Sequence, residues 1–214
     1  MTTSLRIGSD IGRTATVAMA SRHDLCLDFA NTLAWRGSNP SESLHGLPDL
    51  VQWCASSGGL LAGSVEDCGA WAERRPAEAE TVFRHAIAVR EATYCIFHAV
   101  ASGSAPADGD LSELNRALKE TPARSALQPI DGGFAWRIEG VRRMTVPALL
   151  APMLWSAGDL LTGPQLARVR ECANDKCLWL FLDESKNGTR RWCSMSACGN
   201  RAKAHRHYAR RKSG

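Results

Sequence analysis

Four of the eight cysteines crowd into one short segment. Cys172 and Cys177 form one C-x4-C pair, Cys193 and Cys198 form another, and fifteen residues separate them. Zinc takes four soft ligands in a tetrahedron, and four thiolates supply them. A short C-x4-C turn sets two sulfurs on one side of an ion, and a returning chain brings the second pair to the other. Two disulfides or four free thiols are the alternatives. The sequence shows no secretion signal, so a reducing compartment and a metal are favoured. A closed shell of four cysteines leaves no position for water or substrate, so the zinc would be structural. Cys26, Cys54, Cys68 and Cys95 stand alone among apolar residues and read as core positions.

The elements around the cysteines can deliver that geometry. "CLWLFLD" reads as a short strand, "ESKNGT" as a turn with Asn-Gly at its tip, and "RRWC" as the return strand. "CGNRAKAHRHYARRK" has no proline and is rich in Ala, Arg and Lys, so it reads as a helix. Knuckle, hairpin and helix, with the last ligand at the helix start, make a treble-clef-like finger. A module this small needs a metal or disulfides to fold.

Charge concentrates in the same segment. Leu166–Gly214 holds 12 Lys+Arg and 4 Asp+Glu, a balance of +8, whereas the remainder holds 14 and 18, a balance of −4. A basic module on an acidic body points to a polyanion, nucleic acid first and DNA favoured. At 100° per residue, Lys203, Arg206, His207, Arg210 and Arg211 share one helix face. Lys186, Arg190 and Arg191 extend that patch from the hairpin, and Asn200 suits a base edge or a cap. Arg201 falls on the opposite face, as an expected internal tie to a hairpin carbonyl or Asp183, with a direct base contact as the alternative. Trp179, Phe181 and Trp192 are expected to fill the finger's small core, with stacking on bases as the alternative. The competing reading is an adaptor whose basic finger docks an acidic protein.

The rest of the chain reads as mainly α, a multihelical body with one hairpin. Leu25–Trp35, "LPDLVQWCASSGGLL", "SVEDCGAWAERR" opened by Ser64, Pro76 to Gly103, "DLSELNRALKE" and "VPALLAPMLWSAGDLL" carry helical spacing. "SALQPIDGGFAWRIEG" reads as a hairpin turning at Asp131-Gly132-Gly133. The expected division is a flexible leader over 1–22, a body over 23–164 and a finger over 165–214. Arg90 stands on an apolar stripe with Phe83, Ile87, Tyr94 and Phe97, so it needs a carboxylate or anionic partner. Asp28 and Asn31, three apart, are its expected companions, in a polar knot or lining a small-molecule pocket. Cys26, near Asp28, is a buried thiol before it is a redox sensor. No phosphate loop, nucleophile elbow or histidine-rich metal box is present, so a non-enzymatic protein is expected. No membrane-length apolar run occurs, and a cytoplasmic location follows.

"WCSMSACGNRAK", preceded by "CANDKCLWLFLDESKNGTRRW", resembles the CGNR zinc-finger family, named for Cys198-Gly199-Asn200-Arg201. "LCLDFANTLAWRG" at Leu25–Gly37 is similar to a motif of the ABATE domain, which usually precedes that finger. The resemblance spans most of 23–212. It implies one structural zinc and a stress-linked transcriptional regulator whose finger binds nucleic acid. A body that senses a ligand or forms a homodimer completes that expectation.

Overall fold

Pro76 opens the longest helix and Gly103, left-handed at φ 73°, ends it. Proline at the first helical position and glycine just past the last suit those backbone demands. A computed structural model of the chain describes residues 15–19, 22–57, 62–124, 126–130, 133–141 and 145–204. Its helices are α1 (Leu25–Ala30), α2 (Leu47–Ser56), α3 (Ala62–Arg74), α4 (Pro76–Ser102), α5 (Asp108–Lys119), α6 (Val146–Leu149) and α7 (Ala151–Thr162). The body is therefore multihelical, with α4 as its spine. Among the described residues, no helix is long and apolar enough to cross a membrane.

Short helix α1 lies against α4 and α7. Leu25, Leu27 and Phe29 are almost fully buried. Each such side chain is worth about 1.5–3 kcal/mol relative to exposure. The Cys26 N–H donates to Ser156 Oγ of α7 at 3.1 Å, and that hydroxyl donates to the His23 carbonyl at 3.0 Å. A tertiary contact thus does the work of a cap where the Asp24 side chain makes no capping hydrogen bond. The helix stops at Ala30 instead of running to Trp35. Leu33–Ala34 (β2) pairs antiparallel with Ser41–Glu42 (β3), and Trp35 turns the chain out of β2 with φ 57°.

Ala126–Ile130 (β4) and Gly133–Val141 (β5) form the expected hairpin, with Ile130 opposite Gly133. A third strand was not expected. Ala15–Met19 (β1), inside the segment read as a flexible leader, pairs antiparallel with the free edge of β5. The β-branched pair Thr16-Val17 suits an edge strand. The apolar run after Thr145 also differs from one continuous helix. It breaks into α6 and α7 at Leu150, because Pro152 has no N–H for the turn behind it. Helix α3 begins at Ala62, so Ser64 lies within it instead of capping it.

Arg124 ties the sheet to α7. It pairs with Asp159 at 2.8 Å and lies over the rings of Trp155 and Trp136 at 5.1 and 5.9 Å. Cys26, Cys54 and Cys68 are core residues, and burial pushes the Cys26 thiol up to about 12. Such a thiol is inert at neutral pH. Cys95, expected in the core, is exposed on α4.

Candidate metal centre and nucleic-acid interface

The first knuckle is the loop of a small hairpin. Val169–Glu171 (β6) pairs antiparallel with Leu180–Leu182 (β7), and residues 172–179, which include Cys172 and Cys177, connect them. This replaces the expected pairing of "CLWLFLD" with "RRWC", which carries no strand. Asn187-Gly188 does turn the chain, with Gly188 at φ 61°. Asp183 then gathers the loop by accepting from the Ser185 hydroxyl at 2.6 Å, the Ser185 N–H at 3.0 Å and the Arg190 N–H at 2.9 Å. A side chain satisfies the backbone donor a strand ladder would have used. The returning chain is instead fixed by the Ala173 N–H donating to the Arg191 carbonyl at 2.8 Å.

Ser194 opens a π turn, Met195–Gly199, by accepting from the Ala197 N–H, and helix continues over 200–204. Cys198 thus enters the cluster from the start of the final helix. All four sulfurs lie within 4.8 Å of one another. Cys177 to Cys193 measures 3.7 Å and Cys193 to Cys198 measures 3.8 Å. A zinc–sulfur bond of about 2.3 Å fixes the edge of a sulfur tetrahedron at about 3.8 Å. The residues therefore fit zinc and are too far apart for disulfides.

The electrostatics agree. The thiol of Cys193 donates to Cys172 and holds that sulfur down at about 5, with backbone N–H groups of Cys193 and Asn174 adding to the effect. Burial pushes Cys177 up to about 12. Cys193, the donor in the bond to Cys172, is pushed up strongly. Protons here do what a dication does better, since four thiolates need a positive centre. Asn174 Nδ2 also approaches Cys198 Sγ at 3.4 Å.

The finger is not a free appendage. Val169, Leu180 and Leu182 belong to the same buried core as α1, α4 and α7. Asn31 of the body donates to the Leu180 carbonyl at 2.7 Å and accepts from the Leu180 N–H at 3.0 Å. The Tyr94 hydroxyl donates to the Leu178 carbonyl at 3.1 Å. A Cβ added at Gly37 would stand 1.9 Å from the Asp175 carbonyl oxygen. Only glycine lets the two backbones approach that closely. Trp35 packs with Trp179 and Trp192 against the cysteine cluster, and the Arg201 guanidinium lies 4.5 Å over the Trp35 ring.

Residues 23–164 match the ABATE family, described as a "putative stress-induced transcription regulator", and residues 168–211 match the CGNR zinc finger. The chain belongs to the ABATE family and carries a CGNR zinc finger. No curated protein matches the chain. The CGNR finger holds one structural zinc through Cys172, Cys177, Cys193 and Cys198.

The motif of the ABATE body is thus the joint to the CGNR finger. Residues Asn31, Trp35 and Gly37 of "LCLDFANTLAWRG" touch the finger directly. This dissolves the expected grouping of Arg90, Asp28 and Asn31. Asp28 pairs with Arg22 at 2.7 Å on the surface. Arg90, only 2% exposed, forms a two-pronged pair with Glu42 at 2.7 and 2.8 Å. It also donates to Glu91 at 2.8 Å and Thr32 at 3.2 Å. Arg36 holds Glu91 from the other side and lies 3.8 Å over Tyr94. Four bonds to two carboxylates and a hydroxyl make this guanidinium a structural knot, its charge already balanced by protein groups.

The candidate nucleic-acid residues divide. Lys186, Arg191, Asn200 and Lys203 are exposed on the CGNR finger. Arg191 lies 5.5 Å over Trp192. Arg190 is exposed too, but it donates to the carbonyls of Trp192, at 3.0 Å, and Cys193, and it lies 4.4 Å over Phe181. It is the internal tie expected of Arg201, whereas Arg201 reaches across to the ABATE body. Trp179 and Trp192 do surround the cysteines, and Phe181 is buried beneath Arg190. Arg206, His207, Arg210 and Arg211 lie outside the described residues. Sequence reasoning missed Trp35, Gly37, Glu42 and Tyr94. Only the glycine after an aromatic-arginine pair was a signal, and it does not name its partner.

Proposed function

We propose that this ABATE–CGNR protein is a transcription regulator that grips nucleic acid, DNA in preference, with its zinc-fixed finger. The reading rests on one observation above the rest. Lys186, Arg191, Asn200 and Lys203 are solvent-facing on a module whose interior is held by zinc and by Arg190, within a segment of net charge +8. Function is binding, not catalysis. Zinc fixes the knuckles; the chain's cations neutralise phosphates and release counterions. The ABATE body orients the finger, and sensing or self-association belongs to surfaces of that body. A cytoplasmic location goes with this role.

Fluorescence anisotropy of the zinc-loaded chain on duplex DNA, across a range of salt, tests the reading. Affinity should fall steeply with salt. Lys203→Ala and Arg191→Ala should each weaken binding on all sequences and reduce the salt slope by about 1. Absence of binding at low salt, with zinc content intact, would overturn the reading and favour an acidic protein as the partner.

A further inference from the structure

A cleft of about 750 Å3 opens where the ABATE body meets the CGNR finger. Trp35 supplies its body side, and Asn174, Lys176, Trp192 and Arg201 supply much of the rest. That volume lies in the range of small-ligand sites. Its chemistry is unusual for a surface crevice: two indoles, a guanidinium lying on one of them, and a second cation. Asp175 is the one acidic residue among the described lining residues. Asn174 is already committed, to Cys198 Sγ and the Lys176 N–H. Indole and guanidinium planes are the surfaces on which nucleobases stack, and the two cations match a phosphate.

We infer that this cleft accepts one unpaired nucleotide of a nucleic-acid strand. The base stacks on the Trp35–Arg201 surface, and its phosphate faces Lys176 and Arg201. A strand is favoured over a free nucleotide because Asn200 and Lys203 are exposed on the same helical segment as Arg201. They offer donors to neighbouring phosphates that a mononucleotide does not have. The inference rests on the nucleic-acid reading above and specifies which part of a strand the finger seeks.

The test uses the full, zinc-loaded chain and three labelled probes. These are a paired duplex, the same duplex with one unpaired base at its centre, and the same bulge carrying an abasic site. The unpaired base should tighten binding about five- to a hundredfold over the paired duplex, and the abasic probe should lose that gain. Arg201→Gln and Lys176→Gln, both at exposed positions, should remove most of the gain and leave the paired duplex bound. Trp35→Leu, with zinc content measured alongside, separates stacking from charge by removing the gain with both cations present. Equal, salt-dependent binding of all three probes overturns the cleft assignment and spares the nucleic-acid reading. No binding of any probe overturns both. A free mononucleotide that binds as tightly as the bulged probe overturns the strand assignment.

Discussion

Asn31 commits both ends of its carboxamide to the backbone of Leu180, 149 residues downstream. Asn31→Ala should leave a buried N–H and a buried carbonyl without partners. The expected loss is roughly 1–3 kcal/mol for each orphaned group, read as a lower urea midpoint. Arg90→Met should cost about 1–3 kcal/mol by the same measurement, because it takes the charged partner from half-buried Glu42, while Arg36 still holds Glu91. Those carboxylates also set an acid limit. Burial alone would raise both, but hydrogen bonds from Arg90 to Glu42 and from Arg36 to Glu91 outweigh it and hold each below the ordinary glutamate value of 4.5. A depressed carboxyl stabilises the fold above its ordinary value, and that contribution fades as pH falls through the folded value. Melting temperature should therefore hold near neutrality and drop below about pH 4.5, with Arg90→Met flattening the drop. Arg90 was legible as a problem, since an arginine on an apolar stripe demands a partner. Which carboxylate answers it was not. Glu42 arrives from a two-residue strand whose pairing no local pattern announces, while Asp28 sits closer in the motif and faces solvent.

At the scale of elements, local signals served where local physics decides. Helix α4 carries apolar periodicity, interrupted at Arg90, between a proline start and a glycine stop. The cysteine spacing fixed the metal centre, because tetrahedral sulfur chemistry leaves few other uses for two such pairs. The "RRWC" strand failed because the carboxylate of Asp183 takes the Arg190 N–H in place of a ladder. Strand β1 was missed because β5 offers an edge that only tertiary structure creates. Loop contacts then yield a sharp expectation at Gly37. Gly37→Ala drives a methyl into the Asp175 carbonyl, and that oxygen belongs to backbone and cannot swing away. A cost of about 1–3 kcal/mol is expected, with a lower melting temperature at unchanged zinc stoichiometry.

Across the whole molecule, two family segments share one interior. The boundary between residues 164 and 168 divides the sequence, yet Val169, Leu180 and Leu182 bury themselves among residues of α1, α4 and α7. The exposed Lys186, Arg191 and Lys203 are thereby carried on a finger whose hairpin is buried in the core of the body. Cys177→Ser should release zinc and lower the stability of body and finger together, instead of leaving the body untouched. Calorimetry of the zinc-loaded chain, with and without a strong chelator, tests this union most directly. The account predicts one cooperative transition with zinc, displaced as a whole to lower temperature when the metal is removed. Two separate transitions, with the body's midpoint unmoved by chelation, would contradict it.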